Sequence, residues 1–277
     1  MDRRHDARDF REELSSVERE SCTYTSKQGD VGMELTPDQK TQYEAEGYTW
    51  VRGLISPEEL APVRARLMEL LDGEHDWPDT HFQVLDPGTY KNKKGGPVPI
   101  GVQRPSKQEE VFRNIADHGN LQAAMAQLLG GPAKRFTDQA LIKNKVIDGQ
   151  SFYHQDSYYW KIKPQLGCNS WIAMDTVGAN ASALSILPRT HESWELVEHE
   201  RYYDEPNFFN QRTGEPFMRW RIPEETVDRS QEVQLPMEPG DAAFFTNYTW
   251  HRADPNESGE HIVAYAIAYQ LANGSGE

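Results

Sequence analysis

Apolar and polar positions follow one rhythm before Pro132 and another after it. Before it the spacing is helical. Thr36-Pro37-Asp38-Gln39 reads as a helix start, a capping threonine with proline at the first helical position, and Gly47 as its end. Tyr48–Val51 is a short β-type run. Ser56-Pro57-Glu58-Glu59 is a second start, with acidic residues where the positive end of the helix dipole favours them, and Leu60, Val63, Leu67, Leu70 and Leu71 share one side of the helix behind it. Residues 74–105, rich in Gly, Pro and Lys, read as a long loop over a sheet edge. Helical patterning returns over 106–129 and stops at Gly130-Gly131-Pro132. Residues 1–35 carry almost no apolar pattern and read as a mobile tail.

After Pro132, short β-rich runs follow one another around 134–146, 151–156, 167–174, 182–187, 217–222, 231–236, 241–246 and 261–270, punctuated by turns such as Glu238-Pro239-Gly240-Asp241. Helices first and many short strands afterwards predict a mainly β fold with flanking helices, a sandwich or barrel forming a single domain over 36–277. Residues 190–230, charged and aromatic, read as an insertion between strands. Within it Phe208-Phe209 and Arg219-Trp220-Arg221 suit either a lid or a small core of the insertion itself.

Composition narrows the function. The chain has 277 residues and a formal charge of -15. Such acidity repels phosphate backbones, which argues against nucleic acid and, over the whole surface, favours neutral or cationic small molecules. Cys22 and Cys168 form neither a disulfide framework nor a zinc-type cluster. No apolar run reaches the length of a membrane span, and no apolar stretch of the kind found in signal peptides follows Met1-Asp2-Arg3-Arg4, so a cytoplasmic, membrane-independent protein is expected.

The candidate chemistry lies in Phe152-Tyr153-His154-Gln155-Asp156-Ser157-Tyr158-Tyr159-Trp160. In an extended strand, residues two apart point to the same face. His154 and Asp156 can therefore offer an imidazole nitrogen and a carboxylate oxygen to one point, two-thirds of the 2-His-1-carboxylate triad of non-haem Fe(II) oxygenases. A barrel brings distant strands together, so a third ligand belongs on a late strand, and His251 in Thr249-Trp250-His251 is the best placed. Tyr158, Tyr159 and Trp160, directly after the ligand pair, are candidate substrate-pocket walls. A hydrogen-bonded loop pair, a packed strand-end histidine and aromatics packed under a loop are the plainer alternatives.

The ordered combination His154-Gln155-Asp156, Trp171-Ile172-Ala173-Met174-Asp175, Leu187-Pro188-Arg189-Thr190-His191, Pro239-Gly240-Asp241 and His251 with Pro255-Asn256 resembles the phytanoyl-CoA dioxygenase-like Fe(II)/2-oxoglutarate oxygenases, across roughly residues 36–270. The resemblance implies a double-stranded β-helix (jelly-roll, cupin-like) core. It implies His154, Asp156 and His251 as iron ligands. It also implies 2-oxoglutarate and O2 as cosubstrates, with release of succinate and CO2 and hydroxylation of a small molecule. A carboxylate at Asp156 argues against the related halogenases, where a small residue admits chloride. The chain departs from the family in three places. The arginine that pairs with the far carboxylate of 2-oxoglutarate, ten or eleven residues past the distal histidine, is replaced by His261 or Ile262. Arg252 and Ala253 replace the small residues after that histidine, and Arg189 replaces a glycine. The family carries a lysine in the strand where Lys143 and Lys145 share a face, so these lysines, with His261, are the candidate anchors of the cosubstrate. Trp171 matches a position near the cosubstrate and Gln139 one near the substrate. Two rivals stand beside this reading: an Fe(II) oxygenase with altered or absent 2-oxoglutarate dependence, and a non-catalytic barrel that binds a ligand.

Overall fold

Both helix starts close as capping boxes. In α1 (Pro37–Glu46) the Thr36 hydroxyl accepts from the Gln39 N–H while the Gln39 side chain accepts from the Thr36 N–H. Ser56 and Glu59 repeat the arrangement at α2 (Pro57–Asp72), whose Leu60, Val63, Leu67, Leu70 and Leu71 are all buried. The helical stretch over 106–129 is split. A 3-10 turn at Pro105–Lys107 precedes α3 (Glu110–Ala116) and α4 (Gly119–Leu129), and the break falls where the His118 ring accepts the Asn120 N–H. A further short helix, α5 (Asp156–Trp160), follows later. The computed structural model describes residues 33–77, 82–144, 151–203 and 208–272. Most of the expected tail, 1–32, lies outside them, but Leu35 is buried in the core.

The strands are β1 (Tyr48–Val51), β2 (Phe82–Leu85), β3 (Pro99–Gln103), β4 (Ala133–Lys143), β5 (Gly167–Ala173), β6 (Leu184–Leu187) and β7 (Glu200–Tyr203). Then come β8 (Phe208–Asn210), β9 (Met218–Arg221), β10 (Val233–Leu235), β11 (Ala242–Thr246), β12 (Trp250–Ala253) and β13 (Ile262–Leu271). The main sheet runs β1-β11-β5-β13-β4-β3-β2-β8 and the second β10-β6-β12, while β7 and β9 pair apart from both. Every strand pairing described is antiparallel. This is the jelly-roll expected from the sequence, mainly β with helices on one side.

Alternation along β13 sets the two sides of the main sheet. Val263, Tyr265, Ile267 and Tyr269 enter the larger core with Leu60, Leu67, Phe112 and Leu121 of the helices. Ile262 and Ala264 face inward and cluster with Trp171, Leu184, Ile186 and Phe245. The structure corrects two readings of the sequence. Residues 74–105 contain β2 and β3, because pairing with β4 and β8 overrides a Gly/Pro/Lys composition that discourages strands. The insertion is likewise tied to the main sheet, since β8 pairs with β2 and Phe208 belongs to the larger core.

Gly240 sits where β11 begins, with φ 97°, and a Cβ there would lie 2.2 Å from the Ile55 carbonyl oxygen. That is backbone, held in turn by the Ile55 N–H donating to Gly240 O. Gly240→Ala therefore combines left-handed strain with a clash that only backbone movement relieves. We expect a loss of about 3–5 kcal/mol, seen as a fall in melting temperature of roughly 10 °C or more by calorimetry. An unchanged melting temperature would show that the turn is looser than described.

Candidate metal centre

His154 is joined to His251 by an isolated antiparallel bridge, each N–H donating to the other's carbonyl. Asp156 opens α5 and does not continue the strand expected over 151–156. The two-residue spacing still works, because Gln155 between them is extended (φ -112°, ψ 127°). One ligand atom from each of His154, Asp156 and His251 lies within 4.8 Å of the others. Asp156 Oδ1 is 3.7 Å from Nε2 of each histidine.

The surroundings leave these atoms free to converge. His154 Nδ1 lies 2.9 Å from Phe152 O and His251 Nδ1 3.0 Å from Thr249 O, so each ring donates backward and turns the Nε2 lone pair inward. Asn169 Nδ2 donates to Asp156 Oδ2 at 2.9 Å, leaving Oδ1 for the centre. Burial, then the neighbouring His251, pushes His154 down to about 3, and burial pushes His251 down to about 4, so both imidazoles are neutral near pH 7. Burial raises the Asp156 carboxyl, as expected of a carboxylate buried without a cation. Two neutral imidazoles and one acid fit a divalent transition metal that keeps open positions.

Gln155 was not singled out in the sequence, yet it carries the pair. It is fully buried, its amide donates to Glu195 O and Tyr248 O, both at 2.9 Å, and it accepts the Val197 N–H at 2.9 Å. His199 Nε2 accepts the Gln155 N–H at 3.1 Å. The strap at 195–199 thus locks the residue between two ligands. Nothing in local sequence marks Gln155 or Asn169, because their partners come from distant segments.

A cavity of about 580 Å³ opens over the three ligand residues. Of the sequence candidates, Gln139, Lys143, Tyr159, Trp160 and Trp171 line it. Tyr158 does not. One helical step turns it away from Tyr159, and it stacks on His199 with ring centroids 3.9 Å apart. His261 is absent from the lining as well. By strand parity it falls on the side of Val263, whereas Ala266 and Ala268 of the Ile262 face line the cavity. Of the two candidate positions for the arginine, Ile262 is therefore the one on the inward face, where it is buried in the second apolar cluster. Lys143 is the cross-strand partner of Ile262, and paired residues project to the same face. Lys145 lies outside the described residues. The insertion contributes Tyr202, Phe208, Asn210, Phe217 and Arg219 to the wall, closer to the lid reading than to a separate small core.

The other departures have local causes. Arg189 adopts the left-handed backbone a glycine would favour (φ 65°), and its N–H donates to Glu46 O at 2.9 Å. Arg252 is buried and pairs with both oxygens of Glu232, at 3.0 and 2.7 Å, and with Asp254. Its charge is spent on that network.

Fold and site together define a jelly-roll with a His-Asp-His centre, the architecture of the non-haem iron oxygenases. The sequence profile of the phytanoyl-CoA dioxygenase family matches residues 43–261, and the chain belongs to that family. It is an Fe(II)/2-oxoglutarate-dependent dioxygenase by type. A probable phytanoyl-CoA dioxygenase of Caenorhabditis elegans is 22% identical over 235 residues, 82% of this chain and 72% of that protein. Among solved structures, the α-ketoglutarate-dependent epimerase SnoN from nogalamycin biosynthesis superposes with a TM-score of 0.62 at 20% identity, covering 87% of this chain and 90% of its own. EctD from S. alaskensis, solved with 2-oxoglutarate and 5-hydroxyectoine, gives 0.65 at 14%, covering 88% and 78%. Among the described residues, no helix is long and apolar enough to cross a membrane.

Proposed function

We propose that this dioxygenase hydroxylates a small organic molecule, with His154, Asp156 and His251 holding the iron. The observation that carries the reading is the Asp156 carboxylate, 3.7 Å from both imidazole nitrogens and oriented by Asn169. A facial carboxylate fills the coordination position that a halide would need, which favours hydroxylation. Bound iron with 2-oxoglutarate supplies oxidative decarboxylation to succinate and CO2 and removal of a substrate hydrogen. The protein's own residues hold, orient and shield. Lys143 takes the far carboxylate of 2-oxoglutarate, and Trp171 adds an apolar wall to the same cavity. Gln139, Tyr159 and Trp160 face the substrate.

Ile262 supports a second reading, an Fe(II) oxygenase with a different oxoacid or none, because it removes the usual guanidinium. One anaerobic titration separates the two. Protein loaded with Fe(II) should develop the metal-to-ligand charge-transfer absorption on adding 2-oxoglutarate, and in air should form succinate without substrate. If neither appears while iron is retained, the second reading stands.

A further inference from the structure

The cavity differs in charge from the molecule around it. The chain carries -15, yet Asp156 is the one carboxylate on the described lining, against Arg104, Lys143, Arg219 and Arg252. Arg252 is neutralised by Glu232 and Asp254. Arg104 differs, because it is exposed at the wall and no described acid pairs with it.

Its backbone is in the left-handed region (φ 52°, ψ 47°), and among the described non-glycine residues with positive φ it is the one on the cavity lining. A long side chain held there is strained and needs its surroundings to keep it in place. The buried Asp138 does so. Arg104 N–H donates to Asp138 O at 2.7 Å. Ser106 N–H and Oγ donate to the Asp138 carboxylate at 3.0 and 2.7 Å, and Tyr265 Oη donates to it at 2.7 Å. Buried hydrogen bonds hold the turn, and it places Arg104 on the wall.

Beside it, Gln103 and Gln139 face each other across β3 and β4, and Gln83 and Gln139 converge over Gly101, where an added Cβ would sit 2.9 Å from Gln83 Oε1 and 3.3 Å from Gln139 Nε2. None of these three amides bonds to a described residue, and all three line the cavity. Phe136, 41% exposed, and Trp160, ring centroids 5.9 Å apart, stand at the same end of β4. Lys143 is at the other end, five residues from Asp138 and so about 17 Å along the strand.

We propose that Arg104, with the amides of Gln103 and Gln139, forms an anion-recognising subsite, and that the substrate is an organic anion with a flat apolar body lying against Phe136 and Trp160. The inference rests on the oxygenase reading only in calling that ligand the substrate.

The probe is 1-anilinonaphthalene-8-sulfonate, followed by fluorescence under argon on the full chain loaded with Fe(II) and 2-oxoglutarate. Neutral N-phenyl-1-naphthylamine is the control. Arg104→Gln should weaken the sulfonate about tenfold and leave the neutral probe within about twofold, while Arg104→Lys keeps most of the affinity. The proposal is overturned if wild type does not bind the sulfonate, if Arg104→Gln binds it unchanged, or if both probes weaken together. The charge-transfer absorption is recorded on the same samples. Its absence from wild type counts against the oxygenase reading and leaves the Arg104 comparison readable.

Discussion

Asp156→Ala is expected to lose at least a hundredfold in Fe(II) affinity and to form no hydroxylated product, with His154→Ala behaving alike. Asp156 supplies the only negative charge among the three ligands, since both imidazoles are neutral. Removing it leaves a dication facing two uncharged donors in a buried site. The folding control runs the other way. Without metal, Asp156 is a buried carboxyl whose ionised form is disfavoured, so its loss costs the apoprotein little beyond the Asn169 hydrogen bond. The metal-free variant should melt within a few degrees of metal-free wild type. Iron stoichiometry is best measured without chloride, because the vacated position can admit a halide. Unchanged stoichiometry in both variants would refute the ligand assignment.

Lys143→Met should weaken 2-oxoglutarate about a hundredfold in the anaerobic titration while Fe(II) affinity stays at the wild-type value. Losing one partner of a sequestered charge pair costs about 2–5 kcal/mol, and the methionine keeps the length of the stem. The register adds a stricter test. Ile262 is the cross-strand partner of Lys143, so an arginine placed there approaches the same carboxylate from the neighbouring strand. The double variant Lys143→Met, Ile262→Arg should recover much of the lost affinity. A Lys143→Met variant that binds 2-oxoglutarate as wild type does would take the anchor away from this residue.

The metal triad was legible because its information is local or nearly so. His154 and Asp156 are two residues apart on extended backbone, and His251 belongs to the ordered motifs of a family. The capped helices were legible for the same reason: Thr36 with Gln39 and Ser56 with Glu59 satisfy backbone donors three residues away. β2 and β3 were not. Their Gly/Pro/Lys-rich connection signals a loop, and their pairing energy comes from β4 and β8, distant in sequence.

The same distinction divides the site. The spacing of His154 and Asp156, with the family resemblance that adds His251, pointed to three side chains able to hold a metal, and the sequence shows aromatics next to two of them and no arginine in 253–277. Alternation within β13 put His261 and Ile262 on opposite faces, but a strand pattern cannot say which face is inside. Packing against the helices decided that: the large residues Val263, Tyr265, Ile267 and Tyr269 fill the helix-facing core, and the opposite face carries Ile262 in the second apolar cluster and Ala266 and Ala268 on the cavity wall. Strand register then set Lys143 beside Ile262, and a buried aspartate placed Arg104 at the far wall. Registers and buried hydrogen bonds join segments many residues apart, so no local reading of the chain contains them.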